Sequence, residues 1–82
     1  MNIKTYNKGN GFISGECDIY KFDAKVYNTG SKLGINNGRV SKLTICDEYG
    51  NWLVNYDRGW DTEPQDEVVD VYANIMEVLE NI

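Results

Sequence analysis

Residues 34–61, GINNGRVSKLTICDEYGNWLVNYDRGWD, decide the fold of this 82-residue chain. The stretch consists of a Gly/Asn loop, an apolar run, a tight turn, a second apolar run and an Arg-Gly-Trp exit. Two apolar runs separated by a short turn that contains glycine are typical of a β-hairpin. We therefore expect the remaining elements to pack around this hairpin.

The register of the hairpin follows from a turn at Tyr49-Gly50. Leu43 then faces Tyr56 and Ile45 faces Val54, which places four apolar side chains on one side of the ribbon. The other side receives Lys42 with Asp57, Thr44 with Asn55, and Cys46 with Leu53. A slip by one residue would mix apolar and polar side chains on both sides, so this register is predicted.

Periodicity predicts further elements before and after the hairpin. Residues 19–27 alternate apolar and polar side chains as a half-buried strand does, with Phe22 on the core side. Residues 64–81 have helical spacing, and Thr62 with Gln65 resembles a capping box around Pro64. The apolar stripe of this helix comprises Val68, Val71, Tyr72, Ile75, Leu79 and Ile82.

The N-terminal quarter carries weaker signals. Residues 2–6 are interpreted as an edge strand, residues 12–14 as a short strand and residues 15–18 as a hairpin connection. The predicted fold class is α+β, with a three- to five-stranded antiparallel sheet and one C-terminal helix packed on one face. Residues 1–82 are predicted to form a single domain.

Residue types restrict the chemistry available to the chain. It has no histidine, and Cys17 and Cys46 are 29 positions apart, which excludes histidine-based catalysis and close-spaced zinc ligands. We expect two reduced thiols, no enzyme activity, no metal and no cofactor. Because the sequence contains neither a signal peptide nor a run of about 18 apolar residues, we expect no membrane insertion and a cytoplasmic location in the host cell.

Charge is divided unevenly along the chain, whose net charge is −5. Residues 1–60 contain all eight basic residues and six acidic ones, whereas residues 61–82 contain seven acidic residues and no basic one. A mildly basic sheet is therefore expected to carry a strongly acidic helix.

Several segments resemble a family of short uncharacterised bacterial and phage proteins. They are YKFDAKVY at residues 20–27, GI at 34–35, GRVSKL at 38–43 and, most specifically, YDRGWD at 56–61. The resemblance extends over residues 20–64, about half of the chain. It implies a small non-secreted protein carried by phages or mobile elements, and it supplies no catalytic residues.

The Gly-rich loop and the basic residues around it form the first candidate site. Backbone N–H groups beside glycine, together with Arg and Lys, can hold a phosphate or a carboxylate. The spacing matches neither a P-loop nor a dinucleotide fingerprint, and a solvated connecting loop is the simpler alternative. The candidate ligand or partner residues are Lys32, Arg39, Lys42, Arg58 and Trp60.

Trp60 has two interpretations. An exposed tryptophan beside Arg58 is typical of a binding hot spot. We favour the alternative, in which Trp60 covers the core where the last strand meets the helix.

The polar face of the helix is the next candidate, because an acidic stripe can imitate nucleic-acid phosphates and engage a basic partner. A solvated helix face is again the simpler alternative. The candidate acidic partner face comprises Asp66, Asp70, Glu77 and Glu80.

Exposed aromatic residues suggest a fourth surface. Tyr27, Tyr49 and Trp52, with nearby lysines, would suit stacking of single-stranded nucleic acid. Asp23, Asp57 and the acidic tail oppose the attraction of phosphate, so nucleic acid is not the expected partner.

These observations lead to three functional hypotheses. The first is a small non-enzymatic binding protein of phage or mobile-element type, which inhibits a host defence or nucleic-acid enzyme through protein–protein contact. The alternative is a module that binds a nucleotide or another small anion at the Gly-rich loop and its Arg/Lys cluster. A third hypothesis is self-association through an edge strand or the uncovered sheet face.

Overall fold

The computed structural model describes residues 2–82, which form a six-stranded antiparallel sheet with one C-terminal α-helix on one face. The strands are neighbours in chain order: β1 (Ile3–Gly9), β2 (Phe12–Cys17), β3 (Tyr20–Val26), β4 (Val40–Cys46), β5 (Trp52–Asp57) and β6 (Trp60–Thr62). Helix α1 (Val69–Glu80) completes the fold, with 3-10 turns at Ile35–Asn37 and Asp66–Val68. The α+β class is confirmed, but the sheet is larger than the three to five strands predicted.

The additional sheet comes from the N-terminal quarter and from the exit of the hairpin. Residues 15–18 were expected to be a connection, yet Gly15 lies inside β2 and pairs with Phe22. A side chain at Gly15 would clash with the Phe22 ring and with the Lys4 carbonyl oxygen. Glycine is therefore required at position 15 because the β1 backbone and the Phe22 ring pack closely against it. From the sequence alone, the same glycine suggests a turn.

The register predicted for the central hairpin is confirmed at four pairs. Lys42 faces Asp57, Leu43 faces Tyr56, Thr44 faces Asn55 and Ile45 faces Val54. The predicted pairing of Cys46 with Leu53 is wrong, because a bulge at Leu53 shifts the register and Cys46 pairs with Trp52.

The core lies between the helix and one face of the sheet. The predicted core-facing side chains of the sheet are all buried: Phe22, Leu43, Ile45, Val54 and Tyr56. Val68, Val71, Ile75 and Leu79 complete the core from the helical side, as predicted. Ile82 follows the end of the helix and remains exposed, contrary to the prediction.

The helix begins later than predicted. Thr62 pairs with Asn55 as part of β6, so it is not an N-cap, and the chain remains extended as far as Gln65. A 3-10 turn then leads into α1 at Val69 instead of Pro64. Within residues 2–82, no helix has the length and apolar character that a membrane span requires.

The connection between β3 and β4 is held against the sheet end. The sequence predicts that the apolar residues Leu33 and Ile35 both hold this loop down under the sheet end. Ile35 is only 2% exposed, whereas Leu33 is 52% exposed and does not anchor the loop. The Leu33 carbonyl instead accepts a 2.8 Å hydrogen bond from the Tyr56 hydroxyl. Asn36 and Asn37 in this loop have positive φ, whereas Gly38 has a negative φ.

Candidate functional site

The Gly-rich loop does hold an anion, and that anion is the carboxylate of Glu80 at the end of α1. Oε1 and Oε2 of Glu80 accept hydrogen bonds of 3.1 and 2.9 Å from the backbone N–H of Arg39. Oε2 also accepts a 3.2 Å bond from the backbone N–H of Val40. We call this arrangement the Glu80 clamp; the amides that the sequence suggested for an external ligand are engaged by the chain itself.

The side chain of Arg39 belongs to the same clamp. Its Nε donates a 2.8 Å hydrogen bond to the carbonyl of Tyr27, and its Nη1 donates a 2.9 Å bond to the carbonyl of Glu80. Gly38 permits the close approach, because a Cβ there would lie 2.5 Å from Oε2 of Glu80. Arg39 and Glu80 thus have clear roles in folding, and neither is used in the functional proposals below.

The other predicted basic residues occupy different positions. Lys42 and Arg58 both approach Oδ1 of Asp57, with Nζ at 3.9 Å and Nε at 3.4 Å. The backbone N–H of Arg58 donates to the carbonyl of Ser41 at 2.9 Å. Lys32 is exposed in the β3–β4 connection, so Lys42 and Arg58 are the two that the structure brings together.

Trp60 packs on the helical side of the sheet exit. Its ring lies 5.0 Å from the Tyr56 ring and 5.8 Å from the Tyr72 ring, both in edge-on geometry. Burial and the proximity of Tyr56 raise the pKa of Tyr72. Trp60 remains 38% exposed, so it covers the core edge and still presents a rim to solvent.

Three of the four exposed acids of the helical segment form a stripe that we call the acidic ridge: Asp66, Asp70 and Glu77. Among residues 2–82, their carboxylates have no ion pair and no side-chain hydrogen bond. Shallow grooves of about 440 and 600 Å³ lie on either side of Glu77 and include the apolar residues Met76 and Val78. Of the ridge residues, Glu77 therefore stands between two partly apolar depressions.

The opposite face of the sheet, which no helix covers, contains a further depression of about 390 Å³. We call it the open-face groove; its polar and aromatic lining includes Lys8, Phe12, Ser14, Asp23, Lys42 and Thr44. Oδ1 of Asp23 accepts a 2.8 Å hydrogen bond from the Ser14 hydroxyl. Phe12 is 47% exposed, so part of its ring is available to a ligand.

Lys25 lies beside this groove between two aromatic rings. Its Nζ is 4.2 Å from the centroid of Phe12 and 5.2 Å from that of Tyr27, and it donates to the Asn10 carbonyl. Lys25 also stands directly opposite Lys42 on the same face of the sheet. Two cations and two aromatic rings therefore share one end of the open face.

Sequence reasoning missed Lys8 and Phe12 as site residues, because the β1–β2 hairpin was not recognised. A signal was present: Asn10-Gly11 is the dipeptide favoured by two-residue hairpins in which both φ angles are positive. The observed φ values are 56° for Asn10 and 82° for Gly11.

The cysteines lie on opposite faces of the sheet. Cys17 belongs to the core, whereas Cys46 lies on the open face and is partly buried. Burial raises the pKa of both thiols, with Asp18 adding to the effect at Cys17, and Asp23 and Asp47 at Cys46. Among residues 2–82, no group of three or more acidic or cysteine side chains is arranged to hold a metal ion.

Comparison with known proteins gives one family-level result. No curated protein and no solved structure matches the chain. A family model described as a domain of unknown function, DUF7678, matches residues 11–80, which extends beyond the segments that carried the sequence resemblance. The chain therefore belongs to the DUF7678 family.

Proposed function

We propose that this chain is a small non-enzymatic binding protein that contacts a basic surface of a partner protein through its acidic ridge. The observation that carries the proposal is the exposed, unpaired carboxylate of Glu77, since the other helical acids have reasons to be present in the fold. Acidic side chains at a helix N-terminus are stabilised by the helix dipole, which accounts for Asp66 and Asp70. Glu80 forms the clamp.

Neither the helix dipole nor the Glu80 clamp explains the presence of Glu77. It lies in the last turn of α1, which contains no basic residue, so its charge is near the negative end of the helix dipole. An acid there costs roughly 0.3–1 kcal/mol. The grooves on both sides of Glu77 would allow apolar contacts around a central charge pair, an arrangement common in protein interfaces.

The finer proposal concerns the biological setting. We infer that the chain comes from a phage or mobile element and acts in the host cytoplasm, where it occupies a defence or nucleic-acid enzyme. The sequence resemblance supplies the setting. The acidic ridge supplies the chemistry, because carboxylates spaced along a helix can occupy a groove built for phosphates.

Geometry favours this proposal over the alternatives considered for the sequence. Binding of a small anion at the Gly-rich loop would compete with Glu80 for the amides of Arg39 and Val40. Self-association through β1 would bring together edges that carry Lys4 and Lys8, and lysine on an edge strand discourages such pairing.

The test is affinity capture from host lysate with two doubly substituted variants. Asp70→Lys/Glu77→Lys reverses the ridge, and Glu48→Lys/Glu63→Lys makes the same change of charge at exposed positions that do not belong to the ridge. We expect the wild type and the second variant to retain a partner that the first variant loses. Raised salt should weaken the retained complex, because exposed charge pairs are screened.

Circular dichroism and thermal unfolding verify that both variants are folded. Reversal at Glu77 should leave stability unchanged or raise it slightly, because a lysine suits the C-terminal end of a helix. Equal capture by the ridge variant and the control variant would contradict the proposal.

A further inference from the structure

The open-face groove lies on the side of the sheet away from the acidic ridge. Its volume of about 390 Å³ is within the range of roughly 300–1,000 Å³ that small-molecule sites occupy. It combines an exposed aromatic ring, two lysines, and a carboxylate between two hydroxyl-bearing side chains. These are Phe12, Lys8, Lys42, Asp23, Ser14 and Thr44.

Two irregularities of the sheet border this groove. The register between β1 and β2 shifts from Asn7 to Gly9, so Lys8 is the inserted residue of a bulge and lines the groove. The register between β3 and β4 shifts next to the Lys25–Lys42 pair, where Ser41 is the inserted residue. Bulges are frequent beside functional sites because they redirect side chains.

The pairing of Lys25 with Lys42 is unfavourable for folding. Like charges directly opposite each other on one face of a sheet destabilise the pair. Asp57 offsets this weakly, since its Oδ1 is 3.9 Å from Nζ of the half-exposed Lys42. Lys25 is held by the Phe12 and Tyr27 rings and by the Asn10 carbonyl, whereas Lys42 has only this weak pair, so the charge of Lys42 is available to an anionic ligand.

The remaining groups narrow the class of ligand. Lys25 lies over the Phe12 ring, but the ring remains 47% exposed and offers an apolar surface for stacking. Among residues 2–82, Oδ2 of Asp23 accepts no hydrogen bond. A phosphate alone would not use the ring, and it would be repelled by Asp23. We propose that the groove binds a nucleotide whose phosphate lies at Lys8 and Lys42, whose base stacks on Phe12, and whose exocyclic amino group donates to Asp23.

The position of the helix removes one of the objections to phosphate binding; Asp23 and Asp57 remain on the open face. The acids of residues 61–82 were expected to oppose it, but α1 packs on the other face of the sheet. Layers pack about 10 Å apart, and the Debye length is about 8 Å at physiological ionic strength. The ridge and the groove are therefore largely screened from each other.

The first experiment titrates isotope-labelled protein with adenosine 5′-monophosphate at low salt and follows the backbone amides by NMR. We expect saturable shifts in β1, β2 and the adjoining part of β4, with weaker binding of inorganic phosphate and of adenosine. Oligo(dA) of ten nucleotides is a parallel arm. If both ligands bind, a single nucleotide is sufficient for recognition. If only the oligonucleotide binds, the natural ligand is a nucleotide within a single strand.

Matched variants test the residues. Lys42→Ala and Phe12→Ala should each weaken binding roughly tenfold, because each removes a charged or stacking contact. Lys21→Ala and Trp52→Ala are the controls, since both residues are exposed and lie at the other end of the sheet face. Their affinity should equal that of the wild type, and circular dichroism checks that all four variants fold.

Asp23 allows a test that separates recognition of the base from general electrostatic attraction of the phosphate. Inosine 5′-monophosphate lacks the exocyclic amino group, so wild-type protein should bind it several-fold more weakly than adenosine 5′-monophosphate. Asp23→Asn should reduce that preference.

Three results would overturn the inference: no saturable binding of either nucleotide probe at millimolar concentration, equal losses in Lys21→Ala and Lys42→Ala, or inorganic phosphate bound as tightly as the nucleotide.

Discussion

The Glu80 clamp and the open-face groove both bring opposite charges or dipoles together, but they differ in what the chain itself supplies. At the clamp, donors and acceptor are all internal, with two amides and a guanidinium meeting one residue at the helix end. At the groove, Lys8 and Lys42 outnumber the carboxylate of Asp23. The first region is complete as a structure, whereas the second has an excess of positive charge, offset only by the weak pair of Lys42 with Asp57.

This difference separates residues that look alike in the sequence. Arg39 and Lys42 are three positions apart, and both were predicted to bind a ligand. Arg39 bonds to two carbonyl groups of the fold, whereas Lys42 reaches only an exposed aspartate at 3.9 Å. Substitutions at the clamp should therefore lower stability strongly, whereas substitutions at the groove should weaken ligand binding and change stability little.

The largest effect is expected at Glu80. Glu80→Ala removes the acceptor for the amides of Arg39 and Val40, and should lower the free energy of unfolding by about 2 kcal/mol. Glu77→Ala is the control, because it lies in the same helical turn and makes no clamp contact; its effect should be within about 0.5 kcal/mol. Urea denaturation measures both, and equal losses would show that the clamp contributes nothing specific.

A smaller loss is expected from Gly38→Ala. The added Cβ would lie 2.5 Å from Oε2 of Glu80, so the carboxylate must move away from its donors. We expect a loss of about 1–2 kcal/mol, comparable to other overpacked sites. Gly59→Ala is a suitable control, because a Cβ there meets no atom within 4 Å. A midpoint of Gly38→Ala equal to that of Gly59→Ala would refute the close-approach role.

Substitution in the groove should change the free energy of unfolding far less than substitution at the clamp. Lys42→Ala relieves the opposition to Lys25 and loses a half-exposed pair with Asp57, so stability should change by less than about 0.5 kcal/mol. The same urea titrations measure it. A loss as large as that of Glu80→Ala would mean that Lys42 is a structural residue, which would remove the contrast between the two regions.

The smallest expected effect is a pH dependence of stability that comes from Asp47 in the β4–β5 loop. The hydrogen bond from the Asn51 side chain, with those from backbone N–H groups, lowers the pKa of Asp47 despite slight desolvation. A lowered folded-state pKa contributes stability that is present above the unfolded-state value, about 3.9, and is lost as pH falls through the folded-state value.

The stability difference between wild type and Asp47→Ala should therefore be constant at neutral pH and shrink below about pH 4. Urea midpoints at several pH values measure it, with Glu48→Ala as the control in the same loop. A difference that persists unchanged at low pH would show that the carboxylate charge is not involved.

What the sequence predicted follows from local patterns. Leu43, Ile45, Val54 and Tyr56 alternate along the central hairpin, so its register and core face could be derived from spacing alone. The helix stripe is similarly periodic. Such patterns repeat over several residues, so the prediction is correct in the middle of each element and wrong only at its end, at the Cys46 pair and at Ile82.

What the sequence did not predict depends on contacts between distant positions or on a single inserted residue. The clamp joins Arg39 to Glu80 across 41 positions, and neither residue carries a local mark of that contact. The bulge at Lys8 inserts one residue into β1 and so changes which residues of β1 and β2 face each other. Amino-acid composition gives no sign of such an insertion. The groove could not be predicted because its walls come from two hairpins.

The order of the strands has a consequence for the rate of folding. Because β1 to β6 are neighbours in the sheet in the same order as in the chain, each pairing closes a short loop, apart from residues 27–39. Such local contacts form quickly, whereas the junction of Arg39 with Glu80 must wait for the last helical turn. We therefore expect the sheet to form before the helix docks, so that loss of the Glu80 carboxylate accelerates unfolding and leaves the folding rate almost unchanged.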